Sequence, residues 1–142
     1  MLLNYLIYET GVVLSYAGCG LLLMVIGYFV VLLLTPGNLH VILWEQQSRN
    51  AAVLVASDLA GVAIIVIAAI RASSDDLAAG ILSTLVFGIL GIILMGVSFV
   101  LIGLLTPGKT GDIINSPQMH PEVWVNATAH LGIAGIMAAA LL

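Results

Sequence analysis

The chain has 142 residues, of which 62% are hydrophobic and only 7% charged, with a formal net charge of −4. Mean hydropathy is +1.24. Soluble domains carry charge on about a quarter of their residues, so this composition excludes one, and 3 basic residues exclude a nucleic-acid surface.

In chain order, the opening MLLNYLIYETG has no Lys or Arg ahead of its apolar residues. The stretch behind it is too long for a signal-peptide core, so it reads as a retained helix. Four apolar stretches, 11–34, 51–70, 80–105 and 123–142, each have about the 20 residues that cross a hydrocarbon core of about 30 Å. Backbone polar groups find no water at that depth, which leaves helices or closed barrels. The runs do not alternate as barrel strands do. The expected fold is therefore all-α and polytopic, with four transmembrane helices in the lipid bilayer. Cys19 lies inside the first stretch and reads as a small apolar filler.

The sequence LLTPG ends the first stretch at 33–37 and the third at 104–108. In the same frame Gly20 matches Gly91, Met24 matches Met95, Gly61 matches Gly132 and Ala63 matches Ala134. The chain reads as a tandem parallel duplication of a two-helix unit, 1–71 and 72–142, in one integral membrane domain. Both units enter the membrane in the same direction. Thr35, Pro36 and Gly37, and their copies Thr106, Pro107 and Gly108, are helix stops. Pro cannot continue a helix and disfavours helical geometry in the residue before it, while Gly accepts positive φ. The two loops also offer a partner a repeated surface.

In the first loop, 38–50, Leu39, Ile42 and Leu43 share a helical face beside Trp44, and Glu45, Gln46 and Gln47 follow. This predicts a short amphipathic helix in the headgroup plane. The second loop is interrupted by Pro117 and Pro121 and is expected to be less helical. Trp44 and Trp124 read as an interface belt. Arg49 and Lys109 on the TPG side outnumber Arg71 on the other, so the TPG loops are expected in the cytoplasm and both termini outside.

Asp58 and His130 are the ionisable groups at depth in the second and fourth spans. A carboxylate at a helix centre costs about 2.5–3.5 kcal/mol on insertion scales and calls for a partner. If those spans meet, the two side chains form an intramembrane polar pair. Its function is then either to fix helix register or to relay a proton or cation, since imidazole titrates near neutral pH. Ser57 and Gly61, with their repeat mates Thr128 and Gly132, have the small-xxx-small spacing of close helix contacts, which points to tight bundling or a homo-oligomer. Asn50 reads as a helix N-cap. His40, His120 and His130 lack metal-ligand spacing, and no hydroxyl is paired with a base. The chain is accordingly expected to be non-enzymatic, with no metal and no cofactor.

LLLTPG, a loop acid at Glu45, then NAA at 50–52 and DLAGVAIIVIAAI, followed by a second round of the same design, resembles the domain-of-unknown-function 350 family. These YjfL-like proteins are small bacterial inner-membrane proteins of tandem two-helix units, and the likeness covers nearly the whole chain. Members usually open the second helix of each unit with Asn. Here Asn50 does so, but Pro121 stands in the second unit and Asn126 follows five residues later. The family has no agreed biochemical function. Its frequent genetic company, phage-shock-type stress proteins and polyamine or ATP-grasp ligase enzymes, implies a membrane or peripheral protein partner in an envelope-stress system.

Two functions follow as expectations. One is a scaffold or accessory subunit docking a partner at its paired TPG loops. The other is a small channel or transporter subunit for protons, cations or polyamines, using Asp58 and His130.

Overall fold

The computed structural model describes residues 1–73, 76–105 and 110–142. Its helices are α1 (Leu2–Leu34), α2 (Arg49–Arg71), α3 (Leu77–Leu105), α4 (Thr110–Ile114) and α5 (Pro121–Leu141), with a π-helical turn at Val41–Glu45. Four of them, α1, α2, α3 and α5, are long and apolar enough to cross a membrane. Thr106, Pro107 and Gly108, expected to stop the third span, lie outside the described residues.

Each end of these helices has a local cause. Thr35 follows α1 with φ −80° and ψ 123°, the extended geometry that a following proline demands, and Gly37 takes φ 95°. The Thr35 hydroxyl donates to the Val31 carbonyl at 2.8 Å, so the stop is satisfied from within. Asp76 opens α3 by accepting from the Ala79 amide at 2.9 Å. Pro121 sits in the first turn of α5, where its missing N–H costs nothing.

Two expectations change. The first helix starts at Leu2 rather than at residue 11, because nothing in 2–10 breaks it and Gly11 is carried within the helix. Tyr16 Oη lies 3.1 Å from Ser73 Oγ, just past the end of α2, so the start of α1 runs on beyond that level with Leu2, Leu3, Leu6 and Ile7 exposed. The 38–50 segment is no surface helix. Its helical turns run over residues 39–45, π-helical at Val41–Glu45, and Leu39 and Ile42 are buried in a cluster with Val31, Leu54, Ile113 and Val123. Once those aliphatics can reach the bundle, the interface offers them less.

α2 is the centre of the molecule. It packs against α1, α3 and α5, with the largest interface to α5, while α1 and α5 lie on either side of the α2–α3 pair. Gly61 faces Asp58's neighbours α3 and α5. A Cβ there would sit 2.7 Å from Met95 Cε and 3.2 Å from Ala134 Cβ. Gly91 on α3 is tighter still, with the stiff, β-branched Ile65 of α2 against its backbone. These contacts are the close approach that drives helix association in lipid. The matched pair on α5 behaves differently. Thr128 and Gly132 are exposed, Thr128 donates to the Trp124 carbonyl at 2.8 Å, and a Cβ on Gly132 would meet nothing within 4 Å. They do not build the bundle, because α5 turns that face away from α2 and α3.

Gly91→Ala is expected to lower stability by roughly 1–3 kcal/mol, the usual cost of overpacking, whereas Gly132→Ala leaves it unchanged. Thermal unfolding of both variants in one detergent checks the contrast, and equal losses would refute it.

Candidate functional site

Two polar constellations tie the chain's halves together, one at the membrane's edge and one at depth. At the edge, Ser48 caps α2: its Oγ accepts from the Ala51 amide at 3.2 Å and donates to the Ile114 carbonyl at 2.6 Å. Asn50 is therefore not the N-cap. It stands in the first turn, 1% exposed, and its side chain crosses to the other loop. Asn50 Nδ2 donates to the carbonyls of Ile113 at 2.9 Å and Gln118 at 2.7 Å, with Ser116 O at 3.3 Å. Its Oδ1 accepts from the His120 amide at 3.2 Å. One amide thus satisfies both donors and acceptors of a loop that has no ladder of its own. Around this latch Trp44 and Trp124 are exposed, and Gln46, Gln47, Arg49, Asn115 and Ser116 line an open cleft. Gln47 holds φ 52°, an uncommon backbone for a residue with a side chain.

At depth, Asp58 and His130 each lie nine positions beyond the first residue of their helix, ~14 Å along α2 and α5. The helices run in the same direction, so equal depth becomes contact. His130 Nδ1 is 2.7 Å from Asp58 Oδ1, and the residues are 1% and 3% exposed. By distance this is an ion pair whenever the imidazole carries its second proton, although the geometry is not that of an aligned hydrogen bond. Asp58 Oδ2 and His130 Nε2 have no hydrogen-bond partner among the described residues. Phe99 of α3 stacks on the imidazole with centroids 5.4 Å apart and planes at 26°. Among the described residues, Asp58 is also the one polar side chain lining a cavity of about 20 Å³ between α1, α2 and α3.

Among the described residues, no three His, Cys, Asp or Glu gather as metal ligands. His120 instead faces Glu122, with Nδ1 3.6 Å from Oε2.

Asp58, His130, Asn50, Trp44 and Trp124 were singled out from the sequence. Ser48 and Phe99 were not. A serine two places before Asn50 was a readable capping signal, whereas nothing in an apolar span announces which ring will cover a histidine.

Set against known proteins, residues 1–141 match the family described as Domain of Unknown Function (DUF350). The chain belongs to this family. Among its relatives is a UPF0719 transmembrane protein of Mycobacterium bovis, 41% identical over 122 residues, covering 86% of this chain and 80% of the relative. A Mycobacterium tuberculosis counterpart matches to the same extent. A UPF0719 transmembrane protein of Mycolicibacterium paratuberculosis is 32% identical over 126 residues, covering 89% of this chain and 83% of its own length. No solved structure matches the chain. Transmembrane relatives and four apolar helices make this a multi-pass membrane protein.

Two outcomes follow from the geometry. Asn50→Asp removes the donors and sets a carboxylate against three carbonyls, so it should expose 115–120 to protease more than Asn50→Ala does. Limited proteolysis in detergent reads the order. His130→Leu leaves a buried carboxylate unpaired and should cost roughly 3–5 kcal/mol, and the Asp58→Leu/His130→Leu double variant should recover most of it. Unfolding in mixed micelles measures both, and additive losses would show that the pair is not coupled.

Proposed function

We propose that this protein is a non-enzymatic accessory subunit of the bacterial cytoplasmic membrane, whose TPG face docks a partner protein. The observation that carries the proposal is the Asn50 latch. By holding 113–120 against the start of α2, it turns two loops into one preformed surface. Preorganisation of that kind lowers the ordering cost of binding, and aromatic residues standing free beside a polar cleft suit a contact with another protein. The excess of basic residues on this face, Arg49 and Lys109, supports a cytoplasmic side by the positive-inside rule. An envelope-stress partner is what the family resemblance implies.

A second reading rests on a separate observation. The Asp58–His130 contact, with an unpartnered acceptor on one side and an unpartnered ring nitrogen on the other, has the parts of a proton- or cation-handling pair. Under that reading the protein is a small transport subunit.

Photo-crosslinkers placed at Gln47 and at Ser116 in host membranes are expected to capture the same protein, with the adduct lost in Asn50→Asp and absent from a control at Ile136. Capture from neither loop, or unrelated proteins from each, would end the docking proposal. Proteoliposome flux compares the two readings: docking expects no proton or cation flux, whereas flux in the wild type that vanishes in Asp58→Asn would establish transport.

A further inference from the structure

Of the chain's 3 basic residues, Arg49 and Arg71 stand at the two ends of α2, ~33 Å apart along its axis. That distance matches a hydrocarbon core of about 30 Å, so each guanidinium reaches one headgroup layer. Arg49 also borders the cleft between the two loops of the TPG face, a space of about 470 Å³. It makes no ion pair among the described residues, and no Asp or Glu lines the cleft. The side-chain amides of Gln46 and Gln47 have no hydrogen-bond partner among the described residues either. Ser116 Oγ accepts from the Gln118 amide at 3.3 Å, which leaves its own O–H to donate. The walls are held in place. Ser48 Oγ donates to the Ile114 carbonyl at 2.6 Å, and Asn50 Nδ2 lies 3.3 Å from the Ser116 carbonyl.

We propose that this cleft binds the phosphate ester of a polyol, the chemistry of a glycerol-type phospholipid headgroup. The phosphate sits on Arg49 and the hydroxyls on the amides of Gln46 and Gln47. The site lies on the face proposed for docking but needs no protein partner, so it stands or falls independently of one.

Charge selects the phosphate. Its ionised oxygens accept and do not donate, and the guanidinium offers them a planar fork of N–H donors with no carboxylate competing. The rest of the cleft selects the alcohol. Each glutamine amide presents a carbonyl as well as an N–H, and a hydroxyl answers both. A choline head has no proton for those carbonyls, and its fixed positive charge would stand beside Arg49 with no acid in the cleft to receive it. An ethanolamine head can donate but brings the same charge. A polyol donates and accepts without one. The volume falls in the range of small-molecule sites, and the exposed Trp44 and Trp124 belong at the same headgroup level.

The test uses the full-length protein, purified in detergent and stripped of lipid. It is titrated with phosphatidylglycerol, phosphatidylcholine and phosphatidylethanolamine of identical chains, and native mass spectrometry counts what is retained. One phosphatidylglycerol per chain should be held saturably, about tenfold more tightly than either zwitterion, as hydrogen bonds to a charged group require. Arg49→Gln should erase that preference, and Gln46→Glu, which sets a carboxylate in the cleft, should do the same. Both positions are exposed, so thermal unfolding stays unchanged. Arg71→Gln, at the other end of α2, should leave the preference intact. Glycerol phosphate identifies the source: binding as tight as the lipid's assigns the cleft to a soluble ester, and much weaker binding assigns it to the lipid. Equal retention of the three lipids, binding that never saturates, a preference that survives Arg49→Gln, or one lost equally in Arg71→Gln would each overturn the proposal and leave Arg49 an ordinary interfacial arginine.

Discussion

A carboxylate ~14 Å inside an apolar helix has no water to turn to, and much of this architecture follows from that. Asp58 must meet a partner supplied by protein, and His130 supplies it from the one neighbouring helix that runs in the same direction. Equal depth on two parallel helices then fixes their register, because a slip of one turn moves the imidazole by about 5.4 Å. With that register set, Asn50 on α2 faces the loop that leads into α5, and its amide closes the edge of the same interface. Two polar contacts, one deep and one shallow, hold α2 and α5 as a unit. The small residues of α2 and α3 then let the rest of the bundle approach.

Much of this was legible in the sequence, for physical reasons. Span count follows from length against bilayer thickness. The first helix stop follows from Thr-Pro-Gly, whose backbone requirements are local and appear as expected at Thr35 and Gly37. Asp58 and His130 stood out because intramembrane charge is expensive, and the same expense brings them together. What depends on three-dimensional neighbours was not legible. Asn50 looks like a cap because asparagine caps are local, yet Ser48 takes that role and frees the amide for a loop more than sixty positions away. Leu39 and Ile42 look interfacial by periodicity, but the pattern does not say whether bundle or bilayer receives them.

The matched positions make the limit clearest. Gly61 and Gly132 occupy equivalent places in the sequence frame, yet one is wedged against Met95 and Ala134 and a Cβ on the other would meet nothing within 4 Å. Residue identity at a helix position sets how close a neighbour can come. It does not decide whether a neighbour is there, because α2 sits at the centre of four helices and α5 at a corner.

The length of α1 has a consequence for the membrane itself. Its 33 residues reach ~50 Å against ~32 Å for the 21 of α5, so a bilayer about 30 Å thick fits one side of the molecule and falls short of the other. The excess length of α1 is taken up by tilt, by its Glu9-bearing start reaching the headgroups, or by local thickening of the lipid. Such a molecule carries a built-in gradient of hydrophobic mismatch.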